Sequence, residues 1–203
     1  MMKIIQSAVI VICVIGMTAC RGTKVAGHDH SAFEADAAIA NVNKQLKDSP
    51  NSSDLHGQLA LLAGMKKDWA TFDREIETAI RLDPDLMTNY INAAEIYRMR
   101  GRTDMAVQTL KTAIARDPQN PLTRFFLATF YEHIPDRAKA LLEYQETKKL
   151  IEVLRASGRT GKLIDGHEAY YDKSGQPYYV PGDSEITKSL KRLESPQPFP
   201  RQN

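Results

Sequence analysis

The sequence predicts an all-α fold: a helix-turn-helix solenoid of about three repeats, with a long C-terminal helix and a small β-hairpin appended. Three observations predict it. Pro50, Pro84 and Pro118 stand thirty-four residues apart both times, and self-similarity at that period marks a stack of helix pairs. Small and aromatic residues recur in register with these prolines. Between them, apolar residues fall at helical spacing, so each segment carries one buried face.

Residues 1–19 are set aside from the fold. Met1-Met-Lys3 precedes the apolar run Ile4 to Gly16, which has the layout of an export signal and is short for a membrane span. Met17-Thr18-Ala19-Cys20 resembles the lipobox of bacterial lipoproteins, with Met17 in place of the usual leucine. That resemblance implies that Cys20 is acylated and becomes the new N-terminus. The alternatives are a plain signal peptide or an uncleaved anchor, in which Cys20 is only a small apolar residue. Of the two cysteines, Cys13 leaves with the signal, so no internal disulfide can form. Arg21 follows the cysteine, which in enterobacterial sorting implies the outer membrane, facing the periplasm. The mature chain of about 184 residues suits one domain, and its formal charge falls from +2 to +1 as Lys3 is lost. Such a balance argues against non-specific nucleic-acid binding, and leaves the lipid as the means of membrane attachment.

Residues 20–30 read as a flexible tether without apolar periodicity. Helical order begins at Ser31, where Ser31-Ala-Phe-Glu34 has the spacing of a capping box. Ile39, Val42 and Leu46 mark one apolar face of a helix closed by Pro50. The next unit, Ser53 to Leu86, places Leu59 and Ala60 in its first helix and Ile76, Ala79 and Ile80 in its second. A third helix pair opens at Pro121, which suits the first helical position, with Asn120 as N-cap. Its second helix runs long, from Arg137 to Ser157, with Leu141, Leu142, Leu150, Ile151 and Leu154 as apolar surface; such a helix can cover the end of a solenoid.

The unit from Met87 to Asn120 carries a family resemblance. Tyr90, Ala94, Tyr97, Gly101, Ala106, Leu110, Ala113 and Pro118 occupy positions similar to those of a tetratricopeptide repeat, and the resemblance spans roughly residues 34 to 150. It implies that Tyr97 fills the gap between paired helices and that Ala94 and Ala106 form their close contact. The third unit keeps Leu127, Ala128, Tyr131 and Ala140, then departs, with Thr147 where alanine is expected. An ordinary helical bundle would keep the helices and lose the register.

Gly158 to Lys162 breaks the last long helix. It is not a phosphate loop, because only Arg159 and Thr160 separate its glycines and Leu163 follows the lysine. Ala169–Asp172 and Gln176–Val180 read as two strands around a turn at Gly175. Two strands alone are marginal in water, so the hairpin must pack on the helices or on a partner. Pro181-Gly182-Asp183 reads as a turn and N-cap for a short helix with Ile186, Leu190 and Leu193 on one face. Residues 158–195 thus read as a hairpin and short helix, and 196–203 as an extended or disordered tail.

The chemistry available is thin. His28, Asp29 and His30 lie in the tether, where a metal would have to order flexible ligands. Asp165, His167 and Glu168 sit where a loop meets a strand, with no pocket defined around them. No hydrolase, zinc-protease or haem motif is present, and no cofactor is implied. The residues favour a non-enzyme.

Binding has better support. The resemblance implies that first helices line a concave groove, which carries over to Gln58, Leu61 and Met65, to Asn92, Glu95 and Met99, and to Phe126, Thr129 and His133. Leu61 and Phe126 either line that groove or complete the core. Asn92 matches the asparagine that holds a peptide backbone in clamping relatives. The cations of a C-terminal-carboxylate clamp are absent, since Gly57, Leu122 and Phe126 stand there. Arg98, Arg100 and Arg102 read as a solvated edge rather than an anion site. The expected function is a non-catalytic, lipid-anchored envelope adaptor or assembly factor for another envelope protein, similar in a loose way to tetratricopeptide lipoproteins of pilus or outer-membrane assembly. The alternatives are a permanent subunit of an envelope complex, and a metal-binding or hydrolytic lipoprotein using Asp165, His167 and Glu168.

Overall fold

The computed structural model describes residues 30–134, 136–158, 168–171, 177–180 and 182–195. In chain order these form α1 (His30–Asp48), α2 (Ser53–Met65), α3 (Trp69–Leu82), α4 (Met87–Met99), α5 (Thr103–Arg116), α6 (Pro121–His133), α7 (Arg137–Ala156), β1 (Glu168–Tyr171), β2 (Pro177–Val180) and α8 (Asp183–Glu194). The signal segment, Cys20, the tether up to Asp29, Asp165, His167 and the tail from Pro196 lie outside the described residues. Two compact units divide between Arg100 and Gly101, inside the stretch 31–157 that the repeat pattern reads as one helical domain.

The thirty-four-residue register governs helix starts as well as prolines. Ser52, Leu86 and Asn120 stand before α2, α4 and α6, and Asp68, Arg102 and Asp136 before α3, α5 and α7. Side chains of Ser52 and Asn120 accept from the first-turn N–H groups of Leu55 and of Leu122 and Thr123. Asp68 and Asp136 do the same for Thr71 and Lys139. Helices α4 and α5 start behind Leu86 and Arg102 without any such bond. Two expected caps are displaced. Ser31 lies inside α1, which begins at His30, and Asp183 is the first residue of α8 behind Gly182, where its carboxylate pairs with Arg155 instead.

In the first unit, α2 packs on α3, α1 and α4. Ile39 and Leu46 of α1 flank Val42 against Leu55, Leu59 and Leu62. A second cluster joins Ala60, Leu61 and Ala63 to Phe72 and Ile76 of α3 and to Ala93 and Ile96 of α4. Tyr97 meets Phe72 edge-on, with centroids 5.4 Å apart, which is how it fills the space between first and second helices. The approach of α2 to α4 is closest at two glycines. A Cβ on Gly57 would collide with Asn89 Oδ1, and one on Gly64 would lie 2.6 Å from Ile96 Cγ2. Asn89 is buried; it donates to Ser53 Oγ at 2.8 Å, and Ser53 donates to the Ala79 carbonyl at 2.8 Å. Ser53 thus ties α2 to α3 and α4 through one half-buried hydroxyl. At the Pro50 corner, His56 Nε2 donates to the Pro50 carbonyl at 2.9 Å while Nδ1 lies 2.6 Å from Glu75 Oε2. One repeat later Tyr90 Oη donates to the Pro84 carbonyl at 3.0 Å, so different chemistry fastens the same corner.

In the second unit, α6 packs on α5 and α7, α7 on α8, and β2 on α6. Arg124 of α6 donates to Glu143 of α7 at 2.9 Å, two repeat lengths along from His56 and Glu75. Thr147, which breaks the alanine pattern, is fully buried because its hydroxyl donates back to the Glu143 carbonyl at 2.7 Å. The expected apolar face of α7 needs one correction: Leu142 is 60% exposed, and Tyr144 fills the core in its place. Helical rotation places residue 144, with 140, 147, 151 and 154, on the inner side. Strands β1 and β2 pair antiparallel with Ala169 opposite Tyr179 and Tyr170 opposite Tyr178, one residue off the expected strand ends. The hairpin is not isolated, since Tyr170 and Val180 are buried.

The turn from α2 to α3 carries a strained residue. Lys67 has φ +62°, and Gly101, one repeat on, has φ +75°. Lys67 N–H donates to the Gly64 carbonyl at 3.0 Å and Asp68 N–H to the Ala63 carbonyl at 2.9 Å, the pattern of a helix end that needs a left-handed residue. Lysine there costs roughly 1–2 kcal/mol, against a glycine penalty of about 0.5–1 kcal/mol in the unfolded chain. Lys67→Gly therefore raises stability by about 0.5–1 kcal/mol. A urea midpoint that rises with unchanged slope supports this, and one that falls contradicts it.

Candidate functional site

The candidate positions lie on first helices, α2 and α4 in the first unit and, separately, α6 in the second. They recur by repeat: 58, 92 and 126; 61, 95 and 129; 65, 99 and 133. Within each helix the members are three or four residues apart, which places them on one side.

The structure treats these nine residues unequally. Leu61 is 2% exposed and belongs to the core with Phe72 and Ile96. Phe126 is also buried and lies edge-on to Phe125, with centroids 6.0 Å apart. Both therefore complete the core, one of the two roles the sequence left open. Asn92 is buried at 6% exposure, so its amide is not displayed to solvent. Glu95 is buried and receives Arg98 Nε at 3.1 Å; this hydrogen bond holds the Arg98 guanidinium above its ordinary pKa. Gln58 is half-buried and donates to Asp54 Oδ2 at 2.7 Å. Thr129 returns its hydroxyl to the Phe126 carbonyl at 2.7 Å. His133 is exposed, with Nδ1 donating to the Thr129 carbonyl at 2.7 Å.

That leaves the two methionines. Met65 is 37% exposed and Met99 49% exposed, one repeat apart in the last turns of α2 and α4, which pack against each other. Met87, by contrast, is buried. A long, polarizable and unbranched side chain left in solvent suits contacts that adapt to the surface opposite.

The neighbouring arginines are occupied. Arg100 reaches both carboxylate oxygens of Asp73 at 3.2 Å and lies 5.3 Å from the centre of the Trp69 ring. Arg102 lies 3.8 Å from Asp104, and Arg98 is held by Glu95. Three partnered cations make a poor anion site. Sequence reasoning missed Trp69, the sole tryptophan; its position directly after the capping Asp68 was the available signal. Among the described residues, no group of three or more His, Cys, Asp and Glu side chains is placed to hold a metal. Glu168 is described as a residue of β1, without the rest of its cluster.

No family model matches the sequence, and no curated protein matches it. Solved structures do. A thermophilic TPR protein of Thermus thermophilus superposes with a TM-score of 0.51 at 18% identity, over 63% of this chain and 72% of its own. The fold is that of the tetratricopeptide repeat. PilF of Pseudomonas aeruginosa matches with a TM-score of 0.50 at 20% identity, over 59% of this chain and 55% of PilF. Yeast Tom70 matches with a TM-score of 0.52 at 18% identity, over 69% of this chain and 26% of Tom70. At these identities the likeness is one of fold.

Proposed function

We propose that this tetratricopeptide protein is a non-catalytic adaptor or assembly factor of the bacterial envelope, tethered to a membrane by a lipid on Cys20, and that it holds an envelope protein partner against its first helices. The exposed pair Met65 and Met99 carries the reading of the face. Burying two such side chains on a partner contributes roughly 1.5–3 kcal/mol each, while the polar positions beside them are tied internally and offer little. The lipid tether rests on the Thr18-Ala19-Cys20 motif after an export signal.

A photo-crosslinking residue at Met99, compared with one at the exposed Lys111, tests the face in cells. The Met99 probe captures one envelope protein that the Lys111 probe does not, and Met65→Asp lowers that capture at least tenfold. Equal capture from both positions, or none from Met99, removes the adaptor reading. Cys20→Ala tests the tether separately: the protein leaves the membrane fraction, and persistence there with no mass added at the N-terminus rejects lipidation.

A further inference from the structure

α8 is bound to its own chain in the way an amphipathic ligand helix is bound to a groove. Ile186 and Leu193, seven residues apart, are 0% and 2% exposed, and Ser189 between them is buried. Anchors at that spacing are what helix-in-groove recognition reads. The phenol of Tyr144 on α7 is itself buried, and Ser189 of α8 and Glu132 of α6 both act on it. Burial first, then the Glu132 carboxylate, push the Tyr144 pKa up, so this hydroxyl stays protonated as a hydrogen-bonding group.

The charged contacts set direction. Arg192 Nη2 donates to Glu132 Oε1 at 2.7 Å. Arg155 of α7 donates to both Asp183 oxygens at 2.8 and 3.1 Å, at the start of α8, and Arg137 of α7 donates to the Ser195 carbonyl past its end. A cation thus meets an acid at the N-terminus of α8 and another meets the free carbonyl at its C-terminus, so only one polarity fits. These ties are solvent-exposed at Asp183 and Arg192, where ion pairs stabilise little. The packing of α6 on α7 does not run through α8, since Phe125 of α6 meets Tyr144 directly, with centroids 5.6 Å apart. That ring contact joins the two helices of the seat without any residue of α8.

We propose that the face of α7 around Tyr144, together with Glu132, is a helix-recognition site filled in cis by α8, and that a partner helix of the same chemistry can take its place. Charge complementarity specifies that helix: two aliphatic side chains seven residues apart, a hydroxyl three residues after the first, an arginine directly before the second, and an acidic first turn. The site is separate from the face of Met65 and Met99, so its fate is independent of that reading.

The test uses the full-length chain and a fluorescent synthetic peptide of residues 182–195. In the variant Ile186→Ala/Leu193→Ala the tethered helix no longer competes for the seat. The peptide binds this variant at least tenfold tighter than it binds the wild type, and a peptide carrying the same two alanines binds neither. In the wild type, amide exchange in α8 is at least tenfold faster than in α7. Absence of peptide binding to the variant, equal binding to both chains, or exchange of α8 and α7 as one unit overturns the proposal; the exchange result stands even if the variant fails to fold.

Discussion

Gly64 faces Ile96 with no room for a methyl group between them, and Gly57 faces Asn89 in the same way about two turns earlier on α2. Much of the first unit depends on this approach. Glycine inside a helix gives up about 1 kcal/mol relative to alanine, so two of them in one thirteen-residue helix make sense only where closeness returns more than that. The return is visible. Ile96 enters the cluster of Leu61, Phe72 and Ile76 as a fully buried residue, and Asn89 comes near enough to bond Ser53, which bonds the Ala79 carbonyl. Two glycine contacts and one short polar chain join α2, α3 and α4. The same approach sets the spacing of α2 and α4, and with it the places of Met65 and Met99.

Much of this architecture was legible because the repeat rewrites the same demands every thirty-four residues. Pro50, Pro84 and Pro118 end second helices, and the start positions at 52, 86 and 120 fall in step with them. Three features did not show. Lys67 occupies the left-handed turn position that Gly101 makes obvious, and a lysine gives no warning of positive φ. Gly57 and Gly64 look like helix weaknesses until the residues opposite them are known. On α7, adjacent leucines at 141 and 142 suggested an apolar face that is turned toward Tyr144 instead; periodicity over a long helix tolerates a shift of one residue.

The candidate face was legible in position and less so in character. Carrying nine positions over from a repeat family located the side of each first helix, yet burial depends on which neighbours cover that side. Leu61 and Phe126 went to the core, Asn92 and Glu95 were covered, and Met65 and Met99 remained in solvent. The α8 seat was hidden for a related reason. Ile186, Leu190 and Leu193 announced an amphipathic helix, whereas its receptor is a tyrosine and two arginines of α7 with a glutamate of α6, scattered along the sequence.

A double-mutant cycle between Gly64 and Ile96 tests the governing contact most directly. Gly64→Ala destabilises the chain by about 1–3 kcal/mol in urea unfolding through overpacking, although alanine is the better helix former. Ile96→Ala also destabilises, and the double variant is more stable than the sum of the two losses by at least about 1 kcal/mol, because the truncated isoleucine makes room for the new methyl group. Stabilisation by Gly64→Ala of about 1 kcal/mol, as for an uncrowded helical glycine, or strict additivity of the two changes, would contradict the account.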